Sequence, residues 1–187
     1  MKTLISLSLI FALLLCGCGS YVPAGSALED TALEAQVVEI LQETCKKDNT
    51  LAENVGLIYD WVADEIQYRA STADLSEGFT EEVTNQLAAE LLAKRRGACD
   101  GQAALMCVFL RRMGCESVIV EGQFVREDGN LVDHAWVITQ IDGSWYHVDP
   151  LYGRYYAGDA IRSYCMADDA FLEATHQWDR AAYPVCD

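Results

Sequence analysis

The chain has 187 residues, 51% of them hydrophobic, with 13 Lys and Arg against 29 Asp and Glu and a formal net charge of -16. That composition excludes a disordered tail, and the carboxylate excess excludes nucleic acid as a partner, because an acidic surface repels phosphates. The length suits one well-buried domain and not two.

The opening MKTLISLSLIFALLLCGCGS pairs one cation, Lys2, with an uncharged apolar run over residues 4–15. A spanning helix needs about 20 apolar residues, so this shorter run reads as a secretory signal. Its end, Leu15-Cys16-Gly17-Cys18, resembles the lipobox of bacterial lipoproteins, in which a small residue precedes the lipidated cysteine. Cys18, preceded by Gly17, fits that pattern better than Cys16, preceded by Leu15. The resemblance implies a signal peptide over residues 1–17 and acyl chains on Cys18, a membrane anchor that holds the mature protein in the cell envelope outside the cytoplasm. Loss of Lys2 leaves 12 cations against 29 anions, a balance of -17. Residues 18–26, small and Pro-containing, are expected to be a flexible tether, and 27–187 a single domain.

Ser26-Ala27-Leu28-Glu29 and Thr50-Leu51-Ala52-Glu53 both match the capping box, which predicts two helix starts. Leu33, Val37, Ile40, Leu41 and Cys45 follow the first at helical spacing, and Leu51, Val55, Tyr59, Val62 and Ile66 follow the second. A third helix is expected over 81–94, acidic in its first turn, basic at its end and terminated by Gly97. The stretch 98–113, ACDGQAALMCVFLRRM, is apolar on most faces and predicts a buried fourth helix that begins near Cys99 and is capped by Gly114. Strand patterns then occupy 117–124, 134–141 and 144–150, separated by Asp128-Gly129 and Asp142-Gly143 turns, and a helix is expected near 166–176. Helices followed by an antiparallel sheet define an α+β fold.

Cys99 falls where a loop meets the N-terminus of a buried helix, a position that favours thiolate over thiol. Gly97 and Gly101 on either side are expected to let a substrate approach the backbone closely. Cys107 and Cys115 read as small buried hydrophobes. If Asp142-Gly143 is a two-residue turn, Ile141 faces Ser144, Ile138 faces His147, Trp136 faces Asp149 and His134 faces Leu151. His134 and Asp149 then share a face as diagonal neighbours about 7–8 Å apart along the backbone, within reach of a hydrogen bond. His147, nearer the turn, reads as structural. A thiol, an imidazole that takes and returns its proton, and a carboxylate that orients the imidazole are the set that acyl transfer requires.

These residues carry a resemblance to the transglutaminase-like superfamily, whose members share a papain-like core. Arg96-Gly97-Ala98-Cys99-Asp100-Gly101 resembles the nucleophile turn, His134-Ala135-Trp136 the histidine strand, and Gly143-Ser144-Trp145-Tyr146-His147-Val148-Asp149-Pro150 the aspartate strand. Ile58-Tyr59-Asp60-Trp61 through Ile66-Gln67-Tyr68 resembles the segment upstream of the nucleophile, so the likeness covers about residues 51–152. It implies Cys99 as nucleophile, His134 as acid/base and Asp149 as its orienter, acting on a protein or peptide substrate. One oxyanion donor is then the Cys99 amide, with Tyr68 a candidate second. Trp136 and Trp145 are candidate walls of the acyl site, and hairpin packing accounts for them equally well.

No cofactor is implied. The eight-residue intervals among Cys99, Cys107 and Cys115 lack the short pairs of structural zinc, and no acidic loop has the alternating ligand pattern of calcium sites. Six cysteines remain after Cys16 and Cys18, and reserving Cys99 leaves five, so at least one is unpaired. Cys165 and Cys186 could tie down the tail as a disulfide, with Cys45 able to replace either. Two kinds of function are open: a tethered cysteine enzyme, for which hydrolysis is the default over transamidation to an amine, and a binding or scaffolding module whose chemistry has lapsed. The intact set of three favours the enzyme.

Overall fold

The computed structural model describes residues 20–70, 75, 76 and 78–187, so Cys16, Cys18 and the signal segment lie outside the described residues. Helix α1, Thr31–Thr44, starts one turn later than the Ser26 capping box predicts. Its cap is Asp30, whose Oδ1 accepts the amides of Ala32 and Leu33 at 2.9 and 3.1 Å. Ser26 is unavailable because the segment before it docks on the end of α4, Cys99–Arg112. The Gly25 amide donates to the Arg112 carbonyl at 3.0 Å, and Arg112 Nη1 donates back to the Gly25 carbonyl at 2.6 Å. Glu34 accepts from Arg112 Nε at 2.9 Å, and Tyr21 packs on the core. The segment expected to be a free tether is therefore already part of the domain by residues 21–25.

Helix α2, Leu51–Glu65, opens on the expected Thr50/Glu53 capping box. Helix α3, Glu81–Lys94, has the predicted bounds, but Arg95, and not Gly97, ends it, in the left-handed region at φ 52°. Arg95 is held there by its guanidinium, which lies 4.8 Å over the Trp61 ring, and by its carbonyl, which accepts the Gln67 amide at 3.0 Å. That bond starts a short parallel ladder of β1, Gln67–Tyr68, with β2, Arg96–Gly97. The ladder leads directly into α4, which is buried from Asp100 to Leu110 and capped by Gly114 at φ 97°.

Five antiparallel strands form the sheet: β3 (Ser117–Val125), β4 (Leu131–Ile141), β5 (Ser144–Val148), β6 (Cys165–Ala167) and β7 (His176–Gln177), in the order β6-β5-β4-β3-β7. Helix α4 packs on β3 and β4 and also contacts α1, α2 and α3, so it is the central layer of an α+β domain. Asp142 and Gly143 both take positive φ, 52° and 91°, as a tight hairpin turn requires, and the register has Ile141 facing Ser144 and Ile138 facing His147 as predicted. The expected pairs Trp136/Asp149 and His134/Leu151 do not form. The ladder stops at Val137/Val148 because Pro150, which has no amide hydrogen, opens α5, Pro150–Tyr156. Asp149 is the cap of that helix, its Oδ1 accepting the Tyr152 amide at 2.9 Å.

The tail is not the single helix expected over 166–176. Residues 165–167 zip onto β5 and 176–177 onto β3, leaving only α6, Asp169–Leu172, between them. The Cys165–Cys186 disulfide is not formed: all six described cysteines are free thiols. Burial pushes Cys45, Cys165 and Cys186 up to about 12, so these three are neutral at physiological pH.

Tyr59, fully buried on α2, ties this frame together by donating to the Ile161 carbonyl at 2.6 Å and the Asp149 carbonyl at 3.3 Å. A Cβ on Gly153 would run into the Tyr59 hydroxyl. We therefore expect Gly153→Ala to cost about 1–3 kcal/mol, because the buried phenol has no room to retreat. Calorimetry reads this as a melting point lowered by about 2–4 °C per kcal/mol for a domain of this size. An unchanged melting point would show that Tyr59 does not set the approach of α5.

Candidate active site

Cys99 is the first residue of α4, and the cap position before it, Ala98, offers no side-chain acceptor. Within the first turn, the Gly101 amide is taken by Asp100 Oδ1 at 2.8 Å, which leaves the Cys99 amide open at the sulfur's own end of the helix. Uncapped amides and the helix dipole stabilise negative charge there. Cys99 is also the one cysteine of the six described that is not buried.

His134 projects from β4 and is 5% exposed. Its Nε2 lies 2.6 Å from Asp149 Oδ2, so the nitrogen that remains for the Cys99 thiol is Nδ1. The sequence-predicted Cys99, His134 and Asp149 are thus brought together, although by the corner at Pro150 and not by strand pairing. Burial by itself would lower the imidazole's affinity for a proton. The Asp149 charge and hydrogen bond, with a smaller contribution from Cys99, override it and hold His134 above its ordinary value. Burial likewise works to raise Asp149, but the His134 charge and the hydrogen bonds it receives hold the carboxyl well below the usual range.

A third group on this carboxylate is not apparent in the sequence. His176, on β7 and 1% exposed, places Nε2 3.1 Å from the same Asp149 Oδ2. Burial depresses His176, so its ring is neutral; Nε2 donates to the carboxylate and Nδ1 accepts from the Thr175 hydroxyl at 2.9 Å. His176 belongs to no motif with the other three, and only the attachment of β7 to the outer edge of β3 carries it to the site.

The remaining candidates separate. Tyr68 is 52% exposed and faces Gly97 in the β1/β2 register, two residues from Cys99. Its amide donates to the Tyr155 hydroxyl at 2.9 Å, and the two rings meet edge to face at 6.0 Å. Trp136 cannot wall an acyl site, because it is 1% exposed and lies behind the imidazole, stacked on His134 at 5.8 Å and donating from Nε1 to His147 Nδ1 at 3.0 Å. Trp145 pairs with Gln140, one step from the hairpin turn and away from the site. The glycines that flank Cys99 serve packing: a Cβ on Gly97 would meet Leu91 Cδ1, and one on Gly101 would come within 3.2 Å of it. They let α3 approach α4, and substrate access is not their reason.

Among the described residues two groups gather three metal-ligating side chains, His134/Asp149/His176 and His147/Asp169/Cys186. In both groups the histidine nitrogens also lie within hydrogen-bond distance of the carboxylate. The Trp136 indole can only donate, so His147 Nδ1 accepts and its proton sits on Nε2, 2.8 Å from Asp169 Oδ1. His134 and His176 likewise each direct Nε2 at Asp149.

The buried pair has a pH signature. His134 is raised, so its contribution to stability is fully present below the ordinary imidazole value near 6.5 and is lost as pH climbs through the raised one. Asp149 is depressed, so its contribution is present above the ordinary carboxyl value of 3.8 and is lost as pH falls through the lowered one. We expect the destabilisation caused by Asp149→Asn to be largest near neutrality and to shrink at alkaline pH. Urea midpoints of both proteins from pH 6 to 11 measure it, and a constant difference would mean that His134 is not charged in the folded protein.

Comparison with known proteins identifies the family. Residues 38–150 match the model of the transglutaminase-like superfamily. The human kyphoscoliosis peptidase is 24% identical over 160 residues, and the mouse protein is 23% identical over 145. The alignments cover 82% and 74% of this chain but only 23% and 21% of those proteins, so the chain spans less than a quarter of their length. An arylamine N-acetyltransferase from Bacillus cereus, described with a Cys-His-Glu triad, superposes with a TM-score of 0.51 at 22% identity, over 67% of this chain and 51% of that one. The periplasmic domain of TgpA from Pseudomonas aeruginosa gives 0.43 at 22% identity, over 70% and 46%. The family match extends from α1 through the helix of Cys99 to the corner after Asp149, and on that ground the chain belongs to the transglutaminase-like superfamily.

Proposed function

We propose that this protein is a cysteine enzyme of the cell envelope that cleaves an amide or peptide bond through a thioester at Cys99 and releases the acyl group to water. The observation that carries the reading is that Asp149 holds His134 by Nε2, so that Nδ1 meets the only described thiol that is not buried, at an uncapped helix start. The curated relatives are named as peptidases, which supports a peptide substrate.

In the reaction, the Cys99 sulfur bonds to the carbonyl carbon while its proton resides on His134. The Cys99 amide donates to the resulting oxyanion, and the Tyr68 hydroxyl is the second donor. His134 delivers the proton to the departing amine as the C–N bond breaks, leaving the thioester. Water then attacks the thioester carbon, gives its proton to His134, and the acid departs as the C–S bond breaks. Asp149 keeps the imidazole in one tautomer and balances the charge it gains in each half. Water is the default acceptor, because transamidation requires an amine site that excludes it.

Three variants test the chemistry. Iodoacetamide should label Cys99 ahead of Cys107 and Cys115, both buried and both pushed up to about 11, and Cys99→Ala should form no acyl adduct with an activated ester. Asp149→Asn should fold and acylate about 10²–10⁴-fold more slowly, because Asn leaves the wrong imidazole tautomer facing the sulfur. Tyr68→Phe should slow acylation without changing the alkylation rate of Cys99. Full acylation by Asp149→Asn would remove it from the mechanism.

The envelope reading rests on Leu15-Cys16-Gly17-Cys18. Intact mass of protein extracted from the native host should give a chain that begins at an acylated Cys18; a soluble, unmodified chain starting elsewhere would refute the anchor.

A further inference from the structure

At the start of α4 lies a cavity of about 720 Å³ between α3 and the loop that leads into α4; Ala98 and Asp100, the neighbours of Cys99 in the chain, line it, and Cys99 itself does not. Its polar lining includes Arg69, Arg96 and Lys94 together with Glu90 and Asp100. Two of these charges are settled locally: Lys94 Nζ is bound to Glu90 Oε2 at 2.7 Å. Asp100 accepts the Gly101 amide and sits in the positive first turn of α4. The guanidinium groups of Arg69 and Arg96 have no hydrogen-bond or ion-pair partner among the described residues. Four other arginines are paired with acids, Arg112 with Glu34, Arg154 with Asp64, Arg162 with Asp60 and Arg180 with Glu173.

Both arginines are placed by the short ladder that also positions the nucleophile. Arg96 begins β2, three residues before Cys99, and the Arg69 amide donates to the Gly97 carbonyl at 2.9 Å. Two planar donor forks on a cavity at the start of the helix that carries Cys99 match one ligand chemistry, a carboxylate, which guanidinium binds through paired hydrogen bonds. We propose that this cavity is a substrate subsite for an acidic side chain, so that the enzyme selects peptides carrying Glu or Asp close to the bond at Cys99. The proposal rests on Cys99 being the nucleophile and adds the substrate class. A surface that is acidic elsewhere sharpens the choice, because it repels such peptides except where the two arginines face them.

Protection of Cys99 tests it. The rate of Cys99 alkylation by iodoacetamide is followed by intact mass in the presence of capped pentapeptides Gly-Xaa-Gln-Xaa-Gly, with Xaa as Glu, Gln or Lys. Rates are normalised to each protein without peptide, so that any change in the thiol itself cancels. The Glu peptide should protect at concentrations about 10-fold below the Gln peptide, the Lys peptide should protect least, and 1 M salt should erase the difference. Arg69→Gln and Arg96→Gln, both surface substitutions, should bring the Glu peptide to the level of the Gln peptide. Equal protection by Glu and Gln, protection by none of the peptides, or a Glu preference that survives both substitutions would overturn the subsite while leaving the nucleophile intact. Failure of Cys99 to alkylate ahead of the buried thiols would overturn both readings, and it is read without any peptide.

Discussion

A single buried carboxylate organises this domain. Asp149 is 1% exposed, and every polar atom it carries is engaged with a different element. Oδ2 accepts from His134 on β4 and His176 on β7, Oδ1 caps α5, the amide donates to the Tyr164 carbonyl at 2.9 Å, and the carbonyl accepts from Tyr59 on α2. An ionised group taken out of water is tolerated only when it is this fully satisfied. The same bonds that compensate its desolvation fix the imidazole relative to the start of α4. Structural and chemical demands on this residue are therefore not separable: what holds the corner together is what aims His134 at Cys99.

Behind the imidazole a second polar chain performs a supporting task. Trp136 stacks on His134 and donates to His147, which donates to Asp169, which in turn accepts the amide of Cys186 at 3.3 Å. The C-terminal segment, which carries no recognisable motif, is thereby connected to the His134 ring through three side chains. Together with β6 and β7 it covers the outer sides of β5 and β3, which would otherwise be long exposed edges. Free thiols at Cys165 and Cys186 suffice because hydrogen bonds and strand pairing already tie this tail down. The two ends of α4 are used differently: its start presents Cys99, while its last turn receives the N-terminal segment through Arg112.

The short β1/β2 ladder carries residues of both kinds: Tyr68, whose ring meets Tyr155, lies on it, and Arg96 on it and Arg69 just after it line the cavity. Leu91, packed against Gly97 and Gly101, keeps α3 close enough to form the far wall of that cavity. The glycines beside Cys99 thus allow the helix contact that shapes this cavity.

The sequence by itself determined the elements whose signals are local: the Thr50/Glu53 capping box, the bounds of α3, the buried α4 with Cys99 at its head, the Asp142-Gly143 turn and the register that follows from it. Capping chemistry, hydrophobic period and turn geometry act over a few residues, and the chain spells them out. Three of the four groups at the centre of the site were legible for the same reason, since Cys99, His134 and Asp149 stand at a helix start and at strand ends. What depended on contacts distant in the chain was decided only by the tertiary structure. Asp30 displaced Ser26 because Arg112, 82 positions beyond Asp30, takes hold of the preceding segment. Arg95 adopted a left-handed conformation without glycine because Trp61 receives its guanidinium. Trp136 went behind the imidazole because His147 needed its indole proton. His176 joined Asp149 because a two-residue strand found the free edge of β3, and pairing at a sheet edge leaves no periodic mark in so short a segment.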